Sequence, residues 1–174
     1  RLLTMNELPQ RTISSKRTLG SPTSLGIQFG LAVLIGLVFI TFALAKSPIP
    51  SLNLSNAGLA LRGYDPVAYF NVGKPVRGKR TIATKNGGAR YQFSSEENKQ
   101  EFLLNPGKYL PEYGGYCAYG TAVNNKVDGD PKVWRIVDGK LYLNINRSVE
   151  RTWKRDTKGY IRKANKNWPR LRNR

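Results

Sequence analysis

A run of twenty-one residues, 25–45, contains no charged side chain, and only Gln28 and Thr41 within it carry hydrogen-bonding side chains. As an α-helix this run would be about 31 Å long, which is enough to cross the hydrocarbon core of a bilayer. The sequence therefore predicts a transmembrane helix that acts as a signal anchor. The membrane-embedded residues of this helix would include Leu25, Phe29, Leu34, Phe39 and Leu44.

A cleavable signal peptide is the alternative interpretation of this run. Residues 43–45 read Ala-Leu-Ala, which fits an A-x-A cleavage site, and a basic segment precedes the run. The apolar core of a signal peptide is usually roughly 7–15 residues long. Because the run is longer than that, the sequence favours a retained anchor.

The charges on the two sides of the run predict its orientation. Arg1, Arg11, Lys16 and Arg17 precede it, whereas only Lys46 follows it directly. The positive-inside rule then predicts that the N-terminus lies on the cytoplasmic or matrix side. The remaining domain would lie in the periplasm, intermembrane space or lumen, and a bacterial or mitochondrial inner membrane is the expected location.

Composition along the chain divides it into four segments. We predict a basic N-terminal arm over 1–24, the transmembrane helix over 25–45, a proline-containing linker over 46–58, and one domain over 59–174. A domain of this size can bury a hydrophobic core without disulfides. We recognise no internal repeat in the sequence.

The absence of histidine excludes several classes of function. The chain has no histidine and a single cysteine, Cys117. A Ser-His-Asp triad, a His-ligated zinc site and a His-ligated haem are therefore impossible, and so is a disulfide within the chain. Histidine is also the commonest general base near neutral pH. We therefore expect this protein not to be an enzyme.

Turn and capping signals predict an α+β domain with short antiparallel hairpins and C-terminal helices. Asn86-Gly87-Gly88 and Asp138-Gly139 each stand between two strand-like segments, as in tight hairpins. Ser94 and Glu97 fit a capping box at the start of a helix, and Asn146 can cap the helices that follow the second hairpin.

The last 28 residues carry eleven basic side chains against two acidic ones. In two amphipathic helices their aromatic residues would face inward and their basic residues outward. Such a basic face suits an acidic protein surface or anionic lipid, or is simply solvated. Nucleic acid is not an expected partner, because no recognition helix or RNA-binding signature is present. The outward-facing residues are Arg151, Arg155, Arg162, Lys166 and Arg170.

Five sequence blocks in the same order resemble the YHS domain proteins, and most closely an exported, membrane-anchored subgroup. The blocks are GYDPVAYF (63–70), YQFSSEEN (91–98), NPGKY (105–109), YGGYCA (113–118) and DGKLYLN (138–144). The resemblance implies a small α+β domain that is related to the metal-binding TRASH-like modules.

The resemblance also implies where a metal would be bound. Metal-binding relatives carry three cysteines at positions that are held here by Ala68, Ser94 and Asn98. Soft metals need cysteine sulfur or histidine nitrogen as ligands. We therefore expect that the family fold is retained, that its metal chemistry is lost and that the chain holds no cofactor.

Four other residues are weak candidates for metal ligands: Cys117, Asp65, Asp128 and Asp130. A lone cysteine is most often a small buried apolar residue. Asp65 precedes Pro66 as a helix cap does, and residues 128–131 have the composition of a turn.

These observations predict a non-catalytic accessory subunit with a single membrane span. Its domain would dock on subunits of a larger, energy-transducing membrane complex, and we identify no small-molecule substrate. The alternative is a carrier or assembly factor that handles a metal or cofactor through Cys117 and carboxylates.

Overall fold

The structure, a computed structural model, describes residues 51–174. The predicted arm (1–24) and the predicted transmembrane helix (25–45) lie outside the described residues. Between residues 51 and 174, none of the helices combines the length and the apolar character needed to span a bilayer.

The described part of the chain is α+β, as predicted, with two antiparallel hairpins that are each followed by helices. Its helices and strands are, in chain order, α1 (Ala68–Asn71), β1 (Lys79–Asn86), β2 (Ala89–Phe93), α2 (Glu96–Leu104), α3 (Pro106–Tyr109), α4 (Ala118–Ala122), β3 (Asp130–Val137), β4 (Lys140–Asn144), α5 (Arg147–Arg155) and α6 (Thr157–Leu171).

Both predicted hairpins are confirmed. Asn86 pairs with Ala89 across Gly87-Gly88, and Val137 pairs with Lys140 across Asp138-Gly139. All four turn residues have positive φ angles of 50–85°. Glycine, aspartate and asparagine tolerate this left-handed conformation best, which is why these dipeptides form two-residue hairpin turns.

The expectation that the chain has no internal repeat is wrong. Residues 61–109, the first repeat, and residues 112–171, the second repeat, follow the same order of elements. The β1–β2 register runs from Lys79↔Phe93, through a bulge, to Asn86↔Ala89. The β3–β4 register runs from Asp130↔Asn144, through a bulge at the equivalent position, to Val137↔Lys140. Every pair in the second hairpin lies 51 positions after its counterpart in the first.

The turns and caps around the hairpins repeat as well. Leu61, Arg62 and Gly63 have φ angles of 50°, 48° and 82°, and residues 113–115 have φ angles of 54°, 60° and 85°. Ser95 caps α2 by accepting a hydrogen bond from the Asn98 amide, and Asn146 caps α5 in the same way. The repeat therefore extends to irregular backbone, where a match by chance is least expected.

Few identical side chains mark the repeat. A loop after the first short helix is one residue longer in the first repeat, so equivalent residues are 52 positions apart before this loop and 51 after it. The identical pairs are glycines, tyrosines and one valine: Gly63 and Gly115, Tyr64 and Tyr116, Val76 and Val127, Gly78 and Gly129, Gly88 and Gly139, Tyr91 and Tyr142, and Tyr109 and Tyr160.

Each repeat buries its own aromatic core, and a third cluster joins the two. Equivalent pairs of rings pack at centroid distances of 5.1 Å in the first repeat and 5.7 Å in the second: Tyr91–Phe102 and Tyr142–Trp153. The joining cluster contains Leu61, Tyr64, Tyr69, Leu141 and Leu143. The Tyr69 hydroxyl also donates a hydrogen bond of 2.9 Å to the Pro131 carbonyl, so the repeats are joined by polar as well as apolar contact.

Two features differ from the sequence prediction. Ser95, not Ser94, caps α2, because the Ser94 side chain is bonded to Asp65 instead. The described part of the predicted linker, 51–58, lies against the domain. There Leu52 packs on the first core, and the Asn53 amide donates a 2.9 Å hydrogen bond to the Gly114 carbonyl.

The repeated glycines Gly78 and Gly129 generate a prediction about stability. A Cβ atom on Gly78 would lie 2.4 Å from the carbonyl carbon of Gln92, and one on Gly129 would lie 2.6 Å from the Gly115 oxygen. Since backbone cannot move aside easily, we expect Gly78→Ala to lower the free energy of unfolding by about 1–3 kcal/mol in urea titrations. Gly107→Ala is the matched control, because the nearest atom to its Cβ is the Asn105 Oδ1 at 3.8 Å. Equal stability of the two variants would contradict the close approach.

Candidate functional site

The buried carboxylate of Asp65 is the centre of the most highly connected polar cluster in the described residues. Its Oδ1 accepts the backbone amides of Val67 (2.9 Å) and Ala68 (3.3 Å) at the start of α1. Its Oδ2 accepts the amide of Ser94 (2.8 Å), the Ser94 hydroxyl (2.6 Å) and the Asn98 side-chain amide (2.7 Å). We call this set of five hydrogen bonds the Asp65 network.

The three positions at which the resemblance places metal ligands meet in this network. Ser94 directly follows β2, Asn98 lies in the first turn of α2, and Ala68 is the first residue of α1. The Asn98 side-chain amide also donates to the Ser94 hydroxyl at 3.2 Å. Residues that are up to 33 positions apart are thus brought to one carboxylate.

The residues in this cluster do not fit a soft metal ion. Ala68 has no ligand atom, and the three donor groups of Ser94 and Asn98 already point at the carboxylate oxygens. Soft metals prefer thiolate and imidazole, and neither type of ligand is present here. A buried carboxylate is stable only when hydrogen-bond donors replace its hydration, and five donors do so.

Cys117 occupies the position in the second repeat that Asp65 occupies in the first. Its Sγ accepts the amide of Gly120 at 3.4 Å, three residues on, as the Asp65 Oδ1 accepts the amide of Ala68. The thiol lies 3.6 Å from the Asn144 Oδ1 and has no exposed surface. Burial raises the pKa of the Cys117 thiol. The structure therefore places Cys117 as a buried helix cap rather than as a reactive group.

Asp128 and Asp130 do not join either cluster. The Asp128 carboxylate lies 3.4 Å from the Arg62 guanidinium at the surface, and the Asp130 Oδ1 accepts the amide of Lys132 at 2.9 Å. Across residues 51–174, no three acidic or cysteine side chains are grouped so that they could hold a metal ion. The four weak candidates are thus not brought together.

The structure exposes all five basic residues that the sequence assigned to an outward face. Arg151 and Arg155 are four residues apart on α5, and Arg162, Lys166 and Arg170 follow the same spacing on α6. Residues four apart share one face of a helix. Among the residues described, none of these five forms an ion pair. We call them the basic row.

The acidic residue of α5 is turned away from solvent and is already paired. The Glu150 carboxylate accepts from Arg135 at 2.7 Å and from Arg147 at 2.9 Å. Burial alone would raise the pKa of Glu150, but the bond from Arg147 and the charge of Arg135 outweigh it and lower that pKa. The carboxylate therefore stays charged and committed to these two arginines, and it does not neutralise the basic row.

A cleft of about 290 Å³ lies beside Ser51 and Leu52, the first residues that the structure describes. Rings from both repeats line it, namely those of Tyr91, Tyr113 and Trp168, together with Ser51 and Leu52. Its volume is at the lower end of the range for small-molecule sites. The sequence did not indicate this cleft, because its walls come from four separate segments.

No family model, no curated protein and no solved structure matches this chain. The resemblance to the YHS domain proteins stays a prediction that depends on the five sequence blocks.

The Asp65 network generates a prediction about stability. Asp65→Asn keeps the size of the side chain but directs an NH₂ group at donors that need an acceptor. We expect a loss of about 2–4 kcal/mol in the free energy of unfolding, measured by urea titration. Asp138→Asn, in the exposed hairpin turn, is the control and should change stability by less than about 0.5 kcal/mol. A fully stable Asp65→Asn variant would show that the network is dispensable.

The burial of Cys117 generates a second prediction. A chromogenic disulfide reagent should leave Cys117 unmodified in the folded chain at pH 8 and react with one thiol per chain in denaturant, because only unfolding exposes the sulfur. Leu104→Cys is the positive control, since Leu104 is 86% exposed and its thiol should react at once in the folded chain. Rapid reaction of the unmodified chain would overturn the assignment of Cys117 as a buried cap.

Proposed function

We propose that this chain is a membrane-anchored accessory subunit whose domain docks, through the basic row, on an acidic surface of a larger membrane complex. In this proposal the apolar run 25–45 is the membrane anchor, and helices α5 and α6 provide the docking surface. The observation that carries it is that the five exposed cations of the basic row have no acidic partner among residues 51–174.

Comparison of the two repeats supports a functional role for the part of the row on α5. At the positions of Arg151 and Arg155, the first repeat carries Gln100 and Leu104 on the equivalent helix α2. Both helices pack one aromatic residue inward at the same place, Phe102 in α2 and Trp153 in α5. The fold therefore does not require arginine at these positions, and a role outside folding explains them better.

The rest of the basic row lies on a segment that has no counterpart in the first repeat. Helix α3 has four residues, whereas the equivalent α6 has fifteen. Arg162, Lys166 and Arg170 all lie in the additional turns of α6. The inner side of the same helix buries Ala164 and Leu171, so packing fixes the direction in which the cations point.

A carrier that uses Cys117 and carboxylates is the alternative function. No observation among the described residues favours it, because Cys117 is buried and Asp65 is fully bonded to protein donors. Metal analysis of the purified intact chain distinguishes the two functions, since stoichiometric copper, zinc or iron would support the carrier.

The docking proposal predicts the effect of a triple charge reversal. We expect Arg151→Glu, Arg155→Glu and Arg162→Glu together to weaken association with the complex by about tenfold or more, because the long-range attraction becomes repulsion. The measurement is the amount of the complex that co-purifies with the intact chain from native membranes in mild detergent. In the unmodified chain this amount should fall as salt is raised.

The matched control reverses three exposed charges elsewhere, with Lys79→Glu, Arg80→Glu and Lys85→Glu on β1. Circular dichroism should show that both variants remain folded, because exposed substitutions change stability little. Equal co-purification of the unmodified chain and the α5–α6 variant would argue against the basic row as the docking surface.

A further inference from the structure

The described domain begins earlier than the sequence predicted, and this shortens the tether to the predicted span. The Asn53 side-chain amide donates a 3.0 Å hydrogen bond to the Gly115 carbonyl, and Leu52 packs on the first core. A Cβ atom on Gly114 would lie 2.2 Å from the Ser51 carbonyl oxygen, so only glycine allows this approach. Between Ala45 and Ser51 the chain has only residues 46–50.

Five residues limit the distance between the membrane and the domain. An extended chain gains at most about 3.6 Å per residue, so residues 46–50 span no more than about 18 Å in any conformation. The thirteen-residue linker that the sequence predicted would have allowed about 47 Å by the same rule. The part of the domain around Ser51 must therefore stay close to the surface from which the tether emerges.

Basic side chains lie next to Ser51, and Glu112, which lines the cleft beside Ser51, is paired with Lys140 at 3.3 Å. The Lys126 ammonium lies 3.3 Å from the Ser51 hydroxyl and donates to the backbone carbonyl of Arg174. Arg172 and Arg174 are exposed at the end of α6. In the described part of the chain, neither the Arg172 nor the Arg174 side chain forms an ion pair. We call Lys126, Arg172 and Arg174 the C-terminal cluster.

Aromatic side chains next to the C-terminal cluster have the character of interfacial residues. The Lys126 ammonium lies 5.4 Å from the centre of the Tyr116 ring. Trp168 lines the cleft beside Ser51 and packs 6.1 Å from the same ring. Tyrosine and tryptophan are enriched where an apolar phase meets water, which fits the boundary between a domain and a bilayer.

We propose that the C-terminal cluster lies on the anionic headgroups of the leaflet from which the tether emerges, while the basic row is left for a protein partner. This inference depends on the membrane anchor of the proposed function. Lipid is the partner because the tether keeps the cluster near the membrane whether or not a complex is bound. Basic residues close to an anionic leaflet are attracted to it over about one Debye length.

The experiment uses the intact chain reconstituted in vesicles of phosphatidylcholine with or without phosphatidylserine. A brief pulse of acetylating reagent labels accessible lysines, and mass spectrometry compares half-buried Lys126 with Lys74, an exposed reference in the loop after α1. We expect phosphatidylserine to slow the labelling of Lys126 relative to Lys74 about fivefold at low salt and to have little effect at high salt.

Two variants test which charges are responsible. Arg172→Gln with Arg174→Gln should abolish the effect of phosphatidylserine on Lys126, because the neighbouring cations are gone. Arg151→Gln with Arg155→Gln removes the same charge from the basic row and should leave the effect intact. If the effect of phosphatidylserine persists in the Arg172→Gln, Arg174→Gln variant and is lost in the Arg151→Gln, Arg155→Gln variant, the assignment to the C-terminal cluster is overturned.

Carbonate extraction of the same vesicles separates this inference from the anchor proposal. If carbonate releases the chain, the anchor itself is wrong. If the chain stays embedded and Lys126 is labelled equally in both lipids, the anchor stands and the lipid contact is overturned. Shielding of Lys126 in native membranes but not in anionic vesicles would assign the cluster to a protein partner and would also contradict the proposal.

Discussion

The first repeat depends on one buried charge, the carboxylate of Asp65, which joins the start of α1, the end of β2 and the start of α2. Burying a carboxylate is strongly unfavourable unless donors replace water, and five donors do so here. The dependence is mutual, because the amides of Val67 and Ser94 would lack their acceptor without it. Hydrogen bonds thus hold together three segments that are far apart in the sequence.

In the second repeat, weaker polar groups join the start of α4 to the end of β4. Cys117 accepts one amide, and the Asn144 Oδ1 accepts the amide of Tyr119 at 3.2 Å. Within residues 51–174, the Asn144 Nδ2 and the Trp153 Nε1 are buried without a partner. Such groups cost stability. The longer α6 adds apolar contact that the first repeat lacks, because its Ala164 packs in one cluster with Ala118 and Ala122 of α4.

Local signals explain which parts of this fold could be predicted from sequence. The hairpin turns at Gly87-Gly88 and Asp138-Gly139 and the cap at Asn146 depend on residues within a few positions, and all three are confirmed. The Asp65 network joins residues 29 and 33 positions apart, so no local pattern indicates it. Ser94 shows the consequence, because its capping-box spacing is correct but the distant carboxylate binds it instead. The repeat was hidden for a related reason, since backbone geometry is shared while most side chains differ.

Comparison of the two repeats distinguishes residues that the fold requires from residues that it only tolerates. Glycines at 78 and 129 are the same in both halves because neighbouring backbone, that of Gln92 in β2 for Gly78 and that of Gly115 for Gly129, leaves no room for a side chain. The exposed helix surfaces differ in sign, since α2 carries Glu96, Glu97 and Glu101 whereas α5 is basic. The excess of cations on α5 is therefore not a requirement of the architecture. Because Lys126 bonds both the Ser51 hydroxyl and the Arg174 carbonyl, the fold holds the end of α6 beside Ser51.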